Sequence, residues 1–497
     1  MTTRQRRIVV PGMLALALAG CAVTADHAPP APDVPARWSE AADSHTPAEN
    51  ADTPWWTTFN DPELDRLVER ARRANLDLQL AQARVREARG KRAIASGALA
   101  PSFGARASVA REQESPNAPN PLRVLPSGEV EPPGQPENLF QAGFDAKWEI
   151  DLFGGTRRTA EAALADVEAA TYDHDAVLLS LLAEVSRNYI ELRGAQQQRR
   201  IARESLAAQQ DALALVRARR AGGMAADLDV ERAEALAEST ASQLPAFDTA
   251  YKRALHRLGV LIGEPPGALV EELRTEASLP TTSMQPLIGF PSDLLRQRPD
   301  IRSAERAVAA AYARREAAVA DLYPKISLLG TVGLASVAAG NFFSGASALW
   351  SIGPSITWPI FRGGQIVATI EVRDAQQQQA LIAYRRAILN GIEDAENAMA
   401  AYRHEQARRA ALARALTAEQ RATAYARDLY IGGLTDFRDV LSAQRRLFQA
   451  QSDLAQSDTT TSLGLVALYK ALGGGWNANP LASPQAPRPS GQGSGTP

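Results

Sequence analysis

The chain contains one sequence pattern twice, and this duplication limits the folds that it can adopt. Residues of matching character and spacing are Leu78, Ala81, Val85, Ala88, Arg92, Ala95 and Pro101 in one half and Ile301, Ala304, Val308, Ala311, Arg315, Ala318 and Pro324 in the other. The segment Trp148–Gly154 likewise resembles Ile356–Gly364, and Gly222–Val230 resembles Gly432–Val440. We therefore expect two copies of one structural unit, repeated around an axis.

Each repeat contains two segments in which apolar and polar residues alternate, as in a β-strand with two different faces. We predict strands at about 102–113 and 139–151 in the first repeat and at about 325–336 and 349–361 in the second. The predicted apolar face carries Phe144, Trp148, Ile352 and Ile356, and the predicted polar face carries Asp145, Lys147 and Ser355.

Two other structures remain possible for these segments. A soluble, half-buried sheet shows the same alternation, and residues 326–361 lack any charged residue, as a transmembrane helix does. The period of two and the glycines of this segment favour strands. In lipid the edges of a sheet have to close. Because small closed barrels need about eight strands or more, four strands would require further copies of the chain.

A very long helix without proline follows the strands in each repeat. One runs from Gly155 to about Ala221 and the other from Gln365 to about Tyr430, and at 1.5 Å per residue each approaches roughly 100 Å. At the end of each helix, the chain reverses direction at a pair of glycines. This pattern predicts helical hairpins over 155–262 and 364–473, with a kink at Pro245.

The N-terminal residues resemble a bacterial lipoprotein signal. Arginines precede an apolar stretch that ends in Leu18-Ala19-Gly20-Cys21, which predicts a signal peptide at residues 1–20. Cleavage before Cys21 would free this residue for acylation, for example with palmitate, and Ala22 resembles the signal for outer-membrane sorting. Residues 21–54 are then a lipidated, extended tether. An ordinary signal peptide with a chance cysteine is the alternative.

Composition and motifs do not indicate catalysis. The net charge of −2 gives no reason to expect a nucleic-acid partner, and a single cysteine excludes disulfide bonds and thiolate metal sites. The five histidines include no pair at metal-ligand spacing, and phosphate-binding, dinucleotide-binding and nucleophile motifs are absent. We expect no catalytic residue, no metal and no cofactor, and therefore a protein that is not an enzyme.

Three stretches show a family resemblance. They are Trp55-Trp56 with Asp61-Pro62-Glu63-Leu64, Trp148–Gly154, and Gly289–Ile301. Together with the duplication, they resemble the TolC-type outer-membrane channel proteins, in the lipoprotein branch that serves tripartite efflux pumps. The resemblance covers about Trp55 to Trp476, which is nearly the whole mature chain.

The resemblance implies a fold that is mainly α-helical with a transmembrane β-barrel portion. Each tandem-duplicated protomer would contribute four strands to a twelve-stranded barrel in a homotrimer, and its helices would form a long periplasmic tunnel. The first repeat would span residues 55–263, an equatorial segment 264–298, and the second repeat 299–475, with a disordered tail at 476–497.

The implied function is a passive exit channel of the cell outer membrane, anchored by lipid, for small molecules such as drugs. Its partners would be two further copies, a periplasmic adaptor, an inner-membrane transporter and outer-membrane lipid. A type I secretion duct is an alternative within this family. A periplasmic coiled-coil scaffold without a pore and an alanine-rich helical enzyme are alternatives outside it. The exported compounds are not indicated, since the pump would choose them.

The resemblance also assigns roles to residues at the hairpin turns. Adaptor binding would involve Gly222, Gly223, Leu228, Asp229, Val230, Gly432, Gly433, Asp439 and Val440. Related channels often have leucine and aspartate at the closed pore where Arg438 and Ser442 stand here. We therefore expect a different gate, formed by Asp436, Arg438, Asp439 and Ser442.

Overall fold

The computed structural model describes residues 34–40, 54–113, 115, 117, 123–124, 130–131, 136–280 and 291–474. Of these, 86–168 and 305–382 form one compact unit, and the remaining residues belong to a second unit. The predicted signal peptide, the lipidation site at Cys21 and the predicted tail at 476–497 lie outside the described residues.

The first repeat contains five helices and the first part of the sheet. After a 3-10 turn at Trp55–Phe59, the elements are α1 (Pro62–Ala74), α2 (Leu76–Gly97), β1 (Ser102–Glu112), β2 (Arg123–Val124), β3 (Val130–Glu131), β4 (Glu137–Ile150), α3 (Gly155–Ala221), α4 (Asp227–Ala241) and α5 (Leu244–Leu261). The helix is interrupted between α4 and α5. Pro245 lies in the first turn of α5, where a backbone N–H would have no hydrogen-bond acceptor within the helix, so that proline is tolerated there.

The second repeat has the same order of long helices and main strands as the first. A 3-10 turn at Pro291–Asp293 leads to α6 (Leu294–Gln297), α7 (Pro299–Ala320), β5 (Lys325–Ser336), β6 (Ala348–Thr357), α8 (Gln365–Ile431) and α9 (Phe437–Leu472), with 3-10 turns at Ala339–Asn341 and Gly345–Ser347 between the strands. Strand β6 contains Pro354, which an edge strand tolerates, and it ends at Thr357.

Four strands form one antiparallel sheet in the order β1-β4-β5-β6, and β2 pairs with β3 in a separate two-stranded ladder. Residues 326–361 therefore contain two strands, and the transmembrane-helix alternative for them is wrong. None of the helices in the described part of the chain combines the length and the apolar character that a membrane crossing requires.

The two repeats agree in the lengths of their main helices. Helices α2 and α7 each contain 22 residues, and α3 and α8 each contain 67. The repeats differ in the connection between their strands, which is longer from β1 to β4 than from β5 to β6. They also differ in the returning helix, which is interrupted between α4 and α5 and continuous in α9. The tandem duplication is thus confirmed at the level of the elements.

In the second unit, contacts of Trp55 and Asp61 fix the start of the first repeat. Trp55 is buried and stacks on Tyr469, with 5.4 Å between ring centroids. Asp61 caps α1, its Oδ1 accepting bonds from the backbone N–H groups of Glu63 and Leu64 at 2.9 and 3.2 Å. Its Oδ2 accepts a bond of 2.8 Å from the buried hydroxyl of Tyr189.

A part of the predicted tether lies against a helix. The backbone N–H groups of Ser39 and Glu40 donate to the carboxylate of Glu396 on α8, at 2.7 and 3.0 Å. Arg403, also on α8, donates to the carbonyl of Glu40 at 3.0 Å and pairs with its carboxylate. Residues 34–40 are therefore attached to the second unit.

Candidate functional site: a two-faced sheet and two helical turns

The register of the sheet collects the apolar residues of all four strands on one face. Phe144 lies opposite Ala105 on β1 and Val332 on β5. On the other side of β5, Ile356 lies opposite Ile326 and Ile352 lies opposite Gly330. Phe144, Ile352 and Ile356 are all exposed in one copy of the chain. An exposed apolar face of four strands is suited to contact with hydrocarbon.

The opposite face of the same sheet is polar. Asp145 lies opposite Thr331, whose hydroxyl is 3.4 Å from the Asp145 carboxylate. Ser355 lies opposite Ser327. Because side chains alternate along each strand, a sheet with this register separates an apolar environment from an aqueous one.

Aromatic side chains mark the end of the sheet where the helices begin. The indole N–H of Trp148 donates to the carbonyl of Leu99 at 3.0 Å, and that of Trp358 donates to the carbonyl of Leu322 at 3.1 Å. Tryptophan is typical of the border between hydrocarbon and water, where its ring is in an apolar environment and its N–H finds an acceptor.

In the second unit, the first helical turn joins α3 to α4. Gly223 has a φ of +73°, and the N–H of Met224 donates to the carbonyl of Arg219 at 2.9 Å, as in a glycine-terminated helix. Arg220 and Asp227 form an ion pair of 2.5 Å across this turn. The hydrogen bond from Arg220 lowers the pKa of the Asp227 carboxyl below its ordinary value.

The second helical turn, between α8 and α9, has the same backbone. Gly433 has a φ of +71°, and the N–H of Leu434 donates to the carbonyl of Leu429 at 2.8 Å. Met224 and Leu434 occupy equivalent positions and are 74% and 77% exposed. Each turn therefore presents a large apolar side chain at this position to its surroundings.

A hydrophobic cluster joins the two hairpins within one copy. It consists of the buried residues Leu213, Val216, Ala233, Tyr430, Phe437, Val440 and Leu441. The ring centroids of Tyr430 and Phe437 lie 5.1 Å apart. The guanidinium carbon of Arg219 lies 4.4 Å from the centroid of the Tyr430 ring. The two turns thus belong to one packed structure.

The structure places the predicted adaptor-binding residues at the two turns, and they differ in exposure. Gly222, Gly223, Leu228, Gly432 and Gly433 are exposed, and Asp229 is half-buried. Val230 packs against the cluster from its edge. Val440 is buried within the cluster.

Among the described residues of one copy, the predicted gate residues form no ion pair. Asp436 precedes α9 without a side-chain capping bond, and Asp439 accepts a bond from the hydroxyl of Thr435. Arg438 is exposed, and no ion pair links it to the described residues of the same copy. Ser442 is half-buried.

The sequence reasoning missed four residues at the turns: Met224, Leu434, Tyr430 and Phe437. Alignment of the two repeats at their glycine pairs would have identified them, because it places Met224 beside Leu434 and Asp227 beside Phe437. It also missed Arg298, whose guanidinium donates to Asp300, to Asp394 and to the carbonyl of Ala471. These bonds join the ends of α7 and α9 to α8.

Known proteins share both the sequence pattern and the fold. The profile of the family described as outer membrane efflux protein matches residues 67–264 and 290–474. The pyoverdine export outer membrane protein OpmQ of Pseudomonas aeruginosa is 33% identical over 451 residues, which are 90% of this chain and 92% of the relative. Nodulation protein T of Rhizobium leguminosarum bv. trifolii is 30% identical over 465 residues, covering 93% and 96%.

Among solved structures, the outer-membrane channel OprN matches with a TM-score of 0.85 and 34% identity, over 92% of this chain and 100% of that chain. The chain belongs to the outer membrane efflux protein family. The family resemblance and the fold class predicted from the sequence are confirmed, and so is the function of an outer-membrane exit channel for efflux. The family consists of channel proteins and not of enzymes.

Proposed function

We propose that three copies of the chain form one exit duct, in which the four-stranded sheets close into a barrel of the outer membrane. The observation that carries this proposal is the sheet itself, with one apolar exposed face, one polar face and two unpaired edges. Unpaired edges are not tolerated in hydrocarbon. Further copies supply the missing partners, and the polar faces then line a water-filled lumen.

The helical turns are the surface for a periplasmic adaptor, which connects the duct to an inner-membrane transporter. Met224 and Leu434 support this role, because an exposed apolar side chain at the end of each hairpin offers contact area to a partner. Gly223, Gly433 and Leu228 lie beside them and are also exposed. The inner-membrane transporter selects the small molecules that leave, and the duct conducts them passively.

The pore gate is formed by Asp436, Arg438, Asp439 and Ser442 from each copy. Arg438 is exposed and forms no ion pair with the residues of its own copy that the structure describes, so that it is free to pair with a carboxylate of a neighbouring copy. Exposed pairs of this kind contribute about 0.2–1 kcal/mol each. A closed state held by a few such pairs yields readily when the adaptor binds.

Lipid attached to Cys21 anchors the mature N-terminus in the outer membrane. The anchor is supported by Leu18-Ala19-Gly20-Cys21 at the end of the signal sequence and by Cys21 being the only cysteine. Intact-mass measurement of protein extracted from membranes checks it. A chain that begins at Cys21 with the mass of added fatty acyl groups is expected, and an unmodified N-terminus at another residue would contradict it.

Reconstitution of the purified protein in planar lipid bilayers tests the exit duct. We expect trimers by native mass spectrometry and discrete conductance steps. The matched variants Ile352→Arg and Ser351→Arg place the same charge on neighbouring residues of opposite faces. Arginine on the lipid face costs about 2–4 kcal/mol near the middle of the membrane and about 0–1 kcal/mol near its borders.

We therefore expect Ile352→Arg to reduce the yield of membrane-inserted trimers, whereas Ser351→Arg leaves the yield unchanged and alters conductance. Protein that stays monomeric without conductance would refute the duct. The reverse order of the two variants would show that the faces of the sheet are exchanged.

A further inference from the structure

The loop between β5 and β6, residues 337–347, lies at the end of the sheet that is opposite to the helices. It contains the 3-10 turns Ala339–Asn341 and Gly345–Ser347. The buried hydroxyl of Ser347 donates to the carbonyl of Asn341 at 2.7 Å, so that the loop closes on itself. The loop therefore has a defined conformation, held by contacts within it.

Two adjacent phenylalanines direct this loop towards the apolar face of the sheet. The ring centroids of Phe342 and Phe140 lie 6.4 Å apart, and Phe140 lies on the same face of β4 as Phe144. Phe343 packs edge-on against Phe342, with 5.0 Å between the ring centroids, and is 87% exposed. The two rings thus extend the apolar face beyond the strands.

The corresponding end of the first repeat carries charges instead. Arg111 on β1 lies opposite Asn138 on β4, beyond Phe140 on the same face, and Glu112 lies opposite Glu137. Residues 326–361, which include the loop between β5 and β6, contain no charged residue. Contact with hydrocarbon is therefore tolerated by the loop of the second repeat and is costly at the end of the first.

The strands alone do not span the apolar band of an outer membrane. Phe140 lies eight residues before Trp148, whose indole marks the other border of the apolar face. At about 3.4 Å per residue, these two residues are about 27 Å apart along β4. With the usual strand tilt of about 40°, the distance along the membrane normal is roughly 21 Å, whereas the apolar band is about 25 Å tall. An apolar side chain beyond the strands is needed to cover the remaining few ångströms.

We propose that Phe343 of each copy inserts among the acyl chains of the outer leaflet and fixes the depth of the barrel in the membrane. Phe342 holds this anchor against the apolar face through its contact with Phe140. The backbone of the loop stays at the border with water, because irregular backbone exposed to lipid does not occur within hydrocarbon.

The anchor rests on the proposed exit duct, in which the helices are periplasmic and the loop lies at the outer leaflet. Acyl chains are the occupant that the loop favours for two reasons. The loop continues a face that is itself suited to hydrocarbon, and it has no charge that could pair with a protein partner or a lipid phosphate.

Fluorescence quenching in lipid vesicles tests the anchor. The full-length variant Phe343→Cys carries an environment-sensitive fluorophore on the new thiol, and the unaltered chain shows whether Cys21 takes up any label. Ile352→Cys and Ser351→Cys are the matched controls, because these neighbours lie on the apolar and the polar face of β6. We expect lipids with brominated acyl chains to quench most of the fluorescence at residues 343 and 352 and little at residue 351. Iodide on both sides of the membrane should quench mainly the label at residue 351.

Iodide quenching at residue 343, together with lipid quenching at residue 352, would overturn the anchor while leaving the exit duct intact. Protection of residue 343 from both quenchers would mean that a neighbouring copy covers Phe343, and would equally overturn the anchor. Absence of lipid quenching at residues 343 and 352 alike would refute the proposed duct, and the anchor with it.

A second substitution tests the contact that holds the anchor. Addition of Phe342→Ala to the labelled variant should shift quenching at residue 343 from brominated lipid towards iodide, because the loop then loses its contact with Phe140. Unchanged quenching would overturn the role assigned to Phe342.

Discussion

The two helical turns have the same backbone and different side chains. Both follow a helix of 67 residues, both have glycine at a φ near +70°, and both expose a large apolar residue directly after that glycine. At equivalent positions, however, the first turn has Arg220 and Asp227, and the second has Tyr430 and Phe437. The charged pair is exposed, whereas the aromatic pair is buried in the cluster between the hairpins.

This difference shows that duplication preserved the conformation of the turn and changed the strength of its packing. Burial of two aromatic rings stabilises a structure by far more than an exposed ion pair does. The second turn therefore holds the two hairpins of one copy together, and the first turn adds little to that attachment. The two turns share a shape suited to one kind of partner but differ in what they contribute to stability.

The largest expected effect compares Phe437→Ala with Asp227→Ala at the equivalent position. Phe437 is only 4% exposed, so that its truncation should destabilise the hairpin ends by about 3–5 kcal/mol, the usual range for a buried phenylalanine. Asp227→Ala should leave them nearly unchanged. Hydrogen exchange of peptides covering 427–445 and 210–235 measures both. Equal loss of protection in the two variants would contradict the difference in packing.

A smaller effect tests the common backbone. Gly223→Ala and Gly433→Ala each force a residue with a Cβ into the left-handed region, at a cost of about 1–2 kcal/mol. No heavy atom lies within 4 Å of either added Cβ, so that the effect should be the same at both turns. Gly222→Ala and Gly432→Ala, which have no positive φ, are the controls and should lose less protection in hydrogen exchange. Unequal effects of the first two variants would mean that the turns differ in conformation.

The smallest effect concerns the gate. Arg438→Ala should raise the conductance of isolated trimers in lipid bilayers, because it removes exposed pairs worth about 0.2–1 kcal/mol each. The effect should be larger at low salt, where screening is weaker. Leu228→Ala changes the equivalent residue of the first turn and should leave conductance unchanged. Unaltered conductance in Arg438→Ala and Asp439→Ala alike, at low salt, would remove both residues from the gate.

Local sequence was enough to predict the long helices, the four strands of the main sheet and the faces of those strands, but not the short ladder of β2 and β3. The alternation at Phe144, Asp145 and Trp148 identified a strand, and glycine pairs at the ends of proline-free segments identified the turns. These signals are local, because side-chain direction follows from a period of two or 3.6 residues and glycine alone readily adopts a positive φ. The duplication could be recognised for the same reason, because comparing the two halves of the sequence requires no knowledge of which residues are in contact.

Contacts between distant residues were decided only by the tertiary structure. The register of β4 against β5 joins residues such as Trp148 and Leu328, and the bonds of Arg298 reach Asp394 and Ala471. Neither the apolar pattern of the sequence nor the spacing of its motifs indicates which distant residues pair. For the same reason, the sequence alone did not show that Val440 packs with Tyr430 and Phe437 in a buried cluster. The sequence by itself determined the repeated elements and the polarity of their faces, and the tertiary structure decided which of those faces meet, because burial depends on neighbours far away in the chain.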